Sequence, residues 1–455
     1  MTFYNTYDRK ETQLGLIPIN WDVVKLEDAL SLLTDGSHFS PKETADSPYY
    51  ISSVKDLGVD SILIDTCKRI SKSDYDRLVR AGCKPEVGDV LFSKDGTMGI
   101  CFVYKQTMPI VVLSSIAILR PNKDFDSYFL KQYLSNKATL DLIISAHSSG
   151  SALPRLTLTN LKDIPVIKPS IAEQRKIGNI LSDFDLKIEL NNQINKTLES
   201  IARTLFKSWF VDFDPVRAKM AGEPPESICK RLKFTPEILD MFPDQFVDSE
   251  LGKIPEGWVV NQISQFGDVV CGKTPSKTKP EYFGTGIPFI KIPDMHNDVY
   301  VVSPSERVTP LGVASQARKT IPPGSICVSC IATVGKVVIT HEPSQTNQQI
   351  NSIIPNSPDY TVYLYLQMRE KEKEFHDLAS GGTATLNMNT STFSKVNVLM
   401  PNFEILKRFS DFTVPIFNEI LLRQKESNIL SNIRDTILPK LMSGKIRVPV
   451  GDTNE

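Results

Sequence analysis

Apolar positions along this chain change rhythm twice. Over roughly the first 150 residues they come in short runs broken by Gly, Pro, Asn and Asp, as in Ile110-Val-Val-Leu113 and Ile116-Ala-Ile-Leu119. Runs of that length and spacing predict strands and short helices in a mixed globular domain. From Ile171 to Ser208 the texture differs: no Gly follows Gly178 and there is no Pro. Apolar residues recur at Ile177, Leu181, Phe184 and Ile188, then at Leu190, Ile194, Leu198, Ile201 and Leu205. Steps of mainly four and three predict one long amphipathic helix, with a stutter carrying Asn191, Asn192 and Asn195. At 1.5 Å per residue it would span about 57 Å.

Both textures return. Leu14-Gly-Leu-Ile-Pro-Ile-Asn-Trp21 matches Leu251-Gly-Lys-Ile-Pro-Glu-Gly-Trp258, 237 residues later. Gly88–Gly99 resembles Gly324–Gly335 at an offset of 236, and Ser148–Ser151 and Pro169 match Ser380–Thr383 and Pro401 at 232. The short apolar run Val337-Val-Ile339 lies in the second copy, and its long helix carries Phe409, Phe412, Ile416, Ile420, Ile429, Ile433 and Ile437, with a polar break at Gln424–Asn428. Four landmarks in one order indicate an internal duplication far longer than a solenoid unit. Two apolar stripes of this length are most economically buried against each other, as an antiparallel coiled-coil-like pair relating the domains by pseudo-two-fold symmetry. The alternative is that each helix packs only on its own globular domain.

The expected fold class is therefore α+β, with two similar mixed α/β domains joined by two long antiparallel helices. The divisions are a first domain over 1–170, a helix over 171–210, a Pro-rich linker over 211–250 that carries little core, a second domain over 251–402, a helix over 403–446 and a frayed tail over 447–455.

Composition narrows the function. The chain has 455 residues, and 52 Lys plus Arg balance 53 Asp plus Glu, which excludes a histone-like protein but not a local basic groove. Ile110–Leu119, the longest uncharged apolar stretch, is about half a membrane span, and residues 1–10 contain no apolar signal core, so neither an anchor nor a signal peptide is expected. Seven cysteines suit a reducing cytoplasm better than a disulfide scaffold. The lone Cys327-Val-Ser-Cys330 lacks a second pair for zinc and reads as buried strand.

Gly267-Asp-Val-Val-Cys-Gly-Lys-Thr274 satisfies the phosphate-loop pattern literally. Its middle looks like strand, and Pro275 to Pro280 will not start a phosphate-binding helix, so nucleotide binding is not expected. Read instead as a DNA loop, Gly272–Lys279 offers Lys273, Thr274, Ser276, Lys277 and Lys279 to phosphates and base edges. The corresponding loop in the first copy supplies Gly36, Ser37, His38 and Ser40, and Lys94, Lys291 and Lys336 complete the candidate DNA contacts. A merely solvated loop is the competing reading. The five histidines are scattered singly, and no nucleophile elbow, zinc-protease motif, dinucleotide fingerprint or amino-methyltransferase motif is present.

Ile171-Ala-Glu-Gln-Arg-Lys-Ile177, Leu205-Phe-Lys-Ser-Trp-Phe-Val-Asp-Phe-Asp-Pro215 and Ile437-Leu-Pro-Lys-Leu-Met-Ser-Gly-Lys-Ile446 are distinctive strings. With the duplication, they make nearly the whole chain resemble the specificity subunit of a type I restriction-modification system. Asn402-Phe-Glu-Ile-Leu-Lys-Arg408, opening the second helix, lacks the Glu-Gln pair. The resemblance implies two target recognition domains, each reading half of a bipartite, asymmetric site in double-stranded DNA. It implies that the helices set the gap and dock two methyltransferase subunits through Ile177, Leu181, Phe184, Ile188, Leu198, Ile201, Leu205, Ile416, Ile420, Ile433 and Ile437. Those partners would carry S-adenosylmethionine and methylate adenine N6, and separate restriction/translocase subunits would hydrolyse ATP and cut. The chain itself would be non-catalytic, without a cofactor or metal, and cytoplasmic. The competing classes are a stand-alone two-domain DNA-binding or scaffold protein and a self-contained enzyme.

Overall fold

A computed structural model describes residues 8–147, 156–296, 298–380 and 386–449. The landmark strings Ser148–Ser151 and Gly381–Thr383 and most of the expected tail lie outside them. Chain contacts divide the protein into a first unit, 1–187 with 430–455, and a second, 188–429.

In the first unit four antiparallel strands lie in the order Leu30–Asp35, Ile116–Pro121, Val90–Ser93, Cys101–Val103. The apolar runs form the inner strands because Val90–Phe92 and Ile116–Leu119 are apolar at every position and covered on both faces. A smaller sheet sets Tyr49–Ser52 between Lys68–Ile70 and a parallel Ile110–Val112. The second unit repeats this element by element. Its main sheet runs Gly267–Cys271, Ile350–Pro355, Ile326–Ser329, Val337–Ile339. In its small sheet Phe283–Ile290 pairs with Arg307–Val308 and with the parallel Gln345–Thr346.

Each long helix has 40 residues, Ile171–Phe210 and Phe403–Met442, and each contributes to both units. Within the first unit, Ile177 and Leu181 are buried in a core shared with Ile437, Leu438, Leu441 and Met442. Asp185 there holds Lys131 at 2.7 Å, Arg434 at 2.6 Å and Gln132 at 2.7 Å. Within the second unit, the fully buried Asn191 donates to Glu426 Oε2 at 2.8 Å and Ser427 Oγ at 3.2 Å, and Phe206 and Phe210 meet Phe409. The contacts inside each unit run antiparallel. The expected apolar stripe is only partly used this way. Leu198, Leu205, Ile416 and Ile420 join the second core, whereas Ile201 and Ile433 stand 51% and 42% exposed.

The second helix ends at Met442 rather than Ile446, in a turn through Gly444 at φ 63°. A Cβ there would lie 2.3 Å from Pro18 Cγ, so only glycine lets the turn close on the first unit.

The stretch 211–250, read from its prolines as carrying little core, is folded. It forms helices Asp214–Met220, Pro225–Leu232 and Pro236–Asp240 and strand Phe246–Ser249. Pro215, Pro225 and Pro236 each fall in a first turn, where the missing N–H costs nothing and the fixed φ suits a helix. Phe213, Val216, Ile228, Ile238, Leu239 and Phe242 are buried.

Asp185 supplies a pH-dependent contribution. Burial alone drives its carboxyl up, but Lys131, Arg434 and Gln132 together hold it below the usual carboxylate range. A depressed folded pKa stabilises above the unfolded carboxylate range, and the contribution disappears as pH falls through the folded value. Asp185→Asn should therefore destabilise the first unit by about 1–3 kcal/mol near neutrality. The gap to wild type should narrow below about pH 4. Thermal melts across pH test this, and a gap independent of pH would refute it.

Candidate nucleic-acid interface

In both units the edge strand of the main sheet leaves through a glycine clamped against its neighbours. In the second unit Gly272 N–H donates to Ile350 C=O at 3.0 Å and Lys273 N–H to Thr346 C=O at 2.9 Å. A Cβ on Gly272 would sit 2.1 Å from Asn347 O. In the first unit Gly36 N–H donates to Ile116 C=O at 3.2 Å and Ser37 N–H to Val112 C=O at 2.9 Å, and a Cβ on Gly36 would sit 2.0 Å from Val112 O. The loops paired by sequence offset are therefore paired by construction.

The second loop exposes Lys273, Ser276, Lys277 and Lys279. Its backbone is held by Gln316, whose Nε2 donates to Lys273 C=O and to Gln345 Oε1, both at 2.7 Å. Thr274 Oγ1 donates to Gln348 Oε1 at 2.7 Å, and the Ser276 and Thr278 hydroxyls lie 2.8 Å apart. Lys279 Nζ reaches Tyr282 Oη at 3.2 Å and lies over its ring. The bond to Tyr282 raises that ammonium above the usual lysine range, so it is charged at neutral pH. Lys291 and Lys336 are ion-paired with Glu306 at 3.0 Å and Glu372 at 3.2 Å.

The first loop is less basic. His38 and Ser40 are exposed, while Ser37 is buried, with its Oγ donating to Phe39 C=O at 2.7 Å. Lys94, expected among the DNA contacts, is 3% exposed, with Nζ 3.0 Å from Asp35 Oδ2. A lysine there braces the base of the loop and is withdrawn from any phosphate. The same carboxylate oxygen lies 3.6 Å from His38 Nε2.

Three residues on or beside these loops were missed. Phe39 is 53% exposed, with the Arg77 guanidinium 4.6 Å from its ring centroid. Gln348 lies 74 residues beyond the threonine it bonds. The only sequence signal for it is the amide run Asn347-Gln-Gln349 between apolar strands. Arg77 carries no signal, because it comes from a separate helix, Lys72–Arg80.

Gly267–Cys271 is strand, and the next helical segment is the short 3-10 turn Pro280–Tyr282, so strand–loop–helix phosphate geometry is not built there. Cys327 and Cys330 are buried, and burial pushes their thiols up to about 12 and about 11. Among the described residues no group of three His, Cys, Asp or Glu could hold a metal, and no helix is long and apolar enough to cross a membrane.

The sequence profile described as the type I restriction modification DNA specificity domain matches twice, over residues 18–200 and 255–431. The chain is 39% identical over 397 residues to the type I restriction enzyme HindI specificity subunit of Haemophilus influenzae, covering 79% of this chain and 86% of that one. It is 27% identical to the MjaIX specificity subunit of Methanocaldococcus jannaschii, over 96% of both chains. Its fold is similar to the crystal structure of a type I restriction-modification S subunit from M. genitalium, with a TM-score of 0.56 at 16% identity, covering 93% of this chain and 96% of that one.

Proposed function

This chain belongs to the type I restriction modification DNA specificity family, and from that membership we propose that each unit reads one half of a bipartite, asymmetric site in double-stranded DNA. One observation carries the reading. The same glycine-clamped exit presents different chemistry in the two units, His38 and Ser40 in one and Lys273, Thr274, Ser276, Lys277 and Lys279 in the other, while Ser37 of the first is buried. A shared frame with different side chains is what two readers of unlike half-sequences require.

The helices set the gap between the halves and dock two methyltransferase subunits. In support, Leu190, Ile201, Leu422 and Ile429 of the second unit and Leu186 and Ile433 of the first are exposed on them. Apolar side chains repeated along a solvated helix suit a protein partner. Methyl transfer from S-adenosylmethionine belongs to those subunits, and ATP hydrolysis and cleavage to restriction/translocase subunits. This chain addresses the complex to DNA and does none of the covalent chemistry. All seven cysteines are free thiols, in keeping with a cytoplasmic location.

The test exchanges residues 251–402 for the corresponding segment of a relative, in cells that carry the partner subunits, and maps methylated adenines. One half-sequence should change, with the other half and the gap retained. Changes in both halves, or in neither, would overturn the reading.

A further inference from the structure

We propose that Gln348 is a base-reading residue of the second unit, presenting its carboxamide to an adenine in the major groove. The proposal rests on the function proposed above and names the residue and the base.

Gln348 is exposed at the tip of a turn between Gln345–Thr346 and Ile350–Pro355. The turn is closed by Ile350 N–H donating to Asn347 C=O at 3.2 Å. Its backbone is clasped from neighbouring segments. Asn347 N–H donates to Ile290 C=O at 3.1 Å, Cys330 N–H to Gln349 C=O at 2.8 Å, and Lys273 N–H to Thr346 C=O at 2.9 Å. Asn347 and Gln349 also bond each other, side chain to side chain at 3.0 Å and Gln349 N–H to Asn347 Oδ1 at 3.1 Å. Beneath the turn the Gln345 side chain is fully buried. An exposed amide on so rigid a mount is preorganised for recognition, because little freedom remains to be lost on binding.

Its orientation is set as well. Thr274 Oγ1 donates to Gln348 Oε1 at 2.7 Å, which occupies one lone pair of the carbonyl. The second lone pair and the amide hydrogens remain, one acceptor beside one donor. Adenine offers the complement in the major groove, N6–H as donor and N7 as acceptor, whereas guanine offers two acceptors. Lys273, Lys277 and Lys279, on the loop that carries Thr274, supply the adjacent phosphate contacts.

The first unit shows the same mount with another tip. There Ile116 N–H donates to Leu113 C=O at 3.0 Å, Leu113 N–H to Ser52 C=O at 2.8 Å and Lys94 N–H to Ser115 C=O at 2.9 Å, which places Ser114 where the second unit has Gln348. A hydroxyl cannot make the two-point contact, so one backbone design reads different bases in the two halves.

The experiment maps methylated adenines in cells carrying the partner subunits with wild type, Gln348→Ala, Gln348→Arg and the 251–402 exchange. Gln348→Ala should relax one adenine position in the half-sequence governed by the second unit, by roughly tenfold or more, and leave all others intact. Gln348→Arg should shift that position to guanine. A governed half-sequence that neither variant changes would overturn this assignment alone, as would uniform loss of methylation with no change of sequence. If the exchange leaves both half-sequences unaltered, the function proposed above fails instead.

Discussion

Glu173→Ala should lower the stability of the first unit by about 2–4 kcal/mol, because it removes the buried carboxylate to which both the Trp21 indole and the part-buried Arg447 guanidinium donate, although that guanidinium keeps Asn20 at 3.2 Å. Glu173 is 1% exposed, and its carboxylate takes a two-point contact from Arg447, at 2.6 Å from Nε and 3.0 Å from Nη2. The fully buried Trp21 donates its indole N–H to the same group at 2.9 Å, and the Arg447 guanidinium lies 5.5 Å from the Trp21 ring centroid. This node ties residues 430–449 to the rest of the first unit. The midpoint of its thermal transition should fall by roughly 10 °C. Trypsin should then cut at Lys440, Lys445 or Arg447 faster than in wild type. Glu173→Gln keeps an acceptor for the indole and should lie between. Unchanged melting and unchanged cleavage in Glu173→Ala would show that the node does not hold the returning segment.

The same residues show how far the sequence could be read. Ile171-Ala-Glu-Gln was legible as a motif but not as a structure, because its partners lie far away in the chain. Gln174, also fully buried, accepts from Asp126 N–H and donates to Asp124 C=O and Pro169 C=O. The second helix has Ile405 and Leu406 at the matching positions, both fully buried. There Trp258 packs on Phe210 and Phe213 instead of a carboxylate. The missing Glu-Gln pair therefore records an apolar solution to the same packing problem.

The duplication and both long helices were legible because period and order survive in a linear string. The pairing of Gly36 with Gly272 was legible for the same reason. Lys94 was not, since a buried lysine and an exposed one look alike until Asp35 is found opposite it. The segment 211–250 misled because proline density signals a linker unless each proline is placed at a helix start. Ile201 and Ile433 fit the apolar period, yet they are exposed, because the period records apolar character and not what covers it.

That folded segment sets the second large effect, Trp209→Ala. Trp209 is 1% exposed near the end of the first long helix. It meets Phe234 and Phe242 of the 211–250 segment edge-on, at 5.2 Å each, and Phe409 and Phe412 of the second long helix at 5.9 and 6.3 Å. Removing the indole opens a cavity where three chain segments meet, and fixed backbone on every side resists collapse into it. The expected cost to the second unit is about 3–5 kcal/mol. Trp209 Nε1 is buried without a hydrogen-bond partner among the described residues, so Trp209→Phe sacrifices no bond and should be much milder. If 211–250 were a passive connector, the indole would have solvent on one side and truncation would cost little. Hydrogen exchange decides between these. Trp209→Ala should speed exchange across Asp214–Asp240 and Phe403–Phe412 together, whereas faster exchange in only one of the two would mean that the aromatic cluster does not join them.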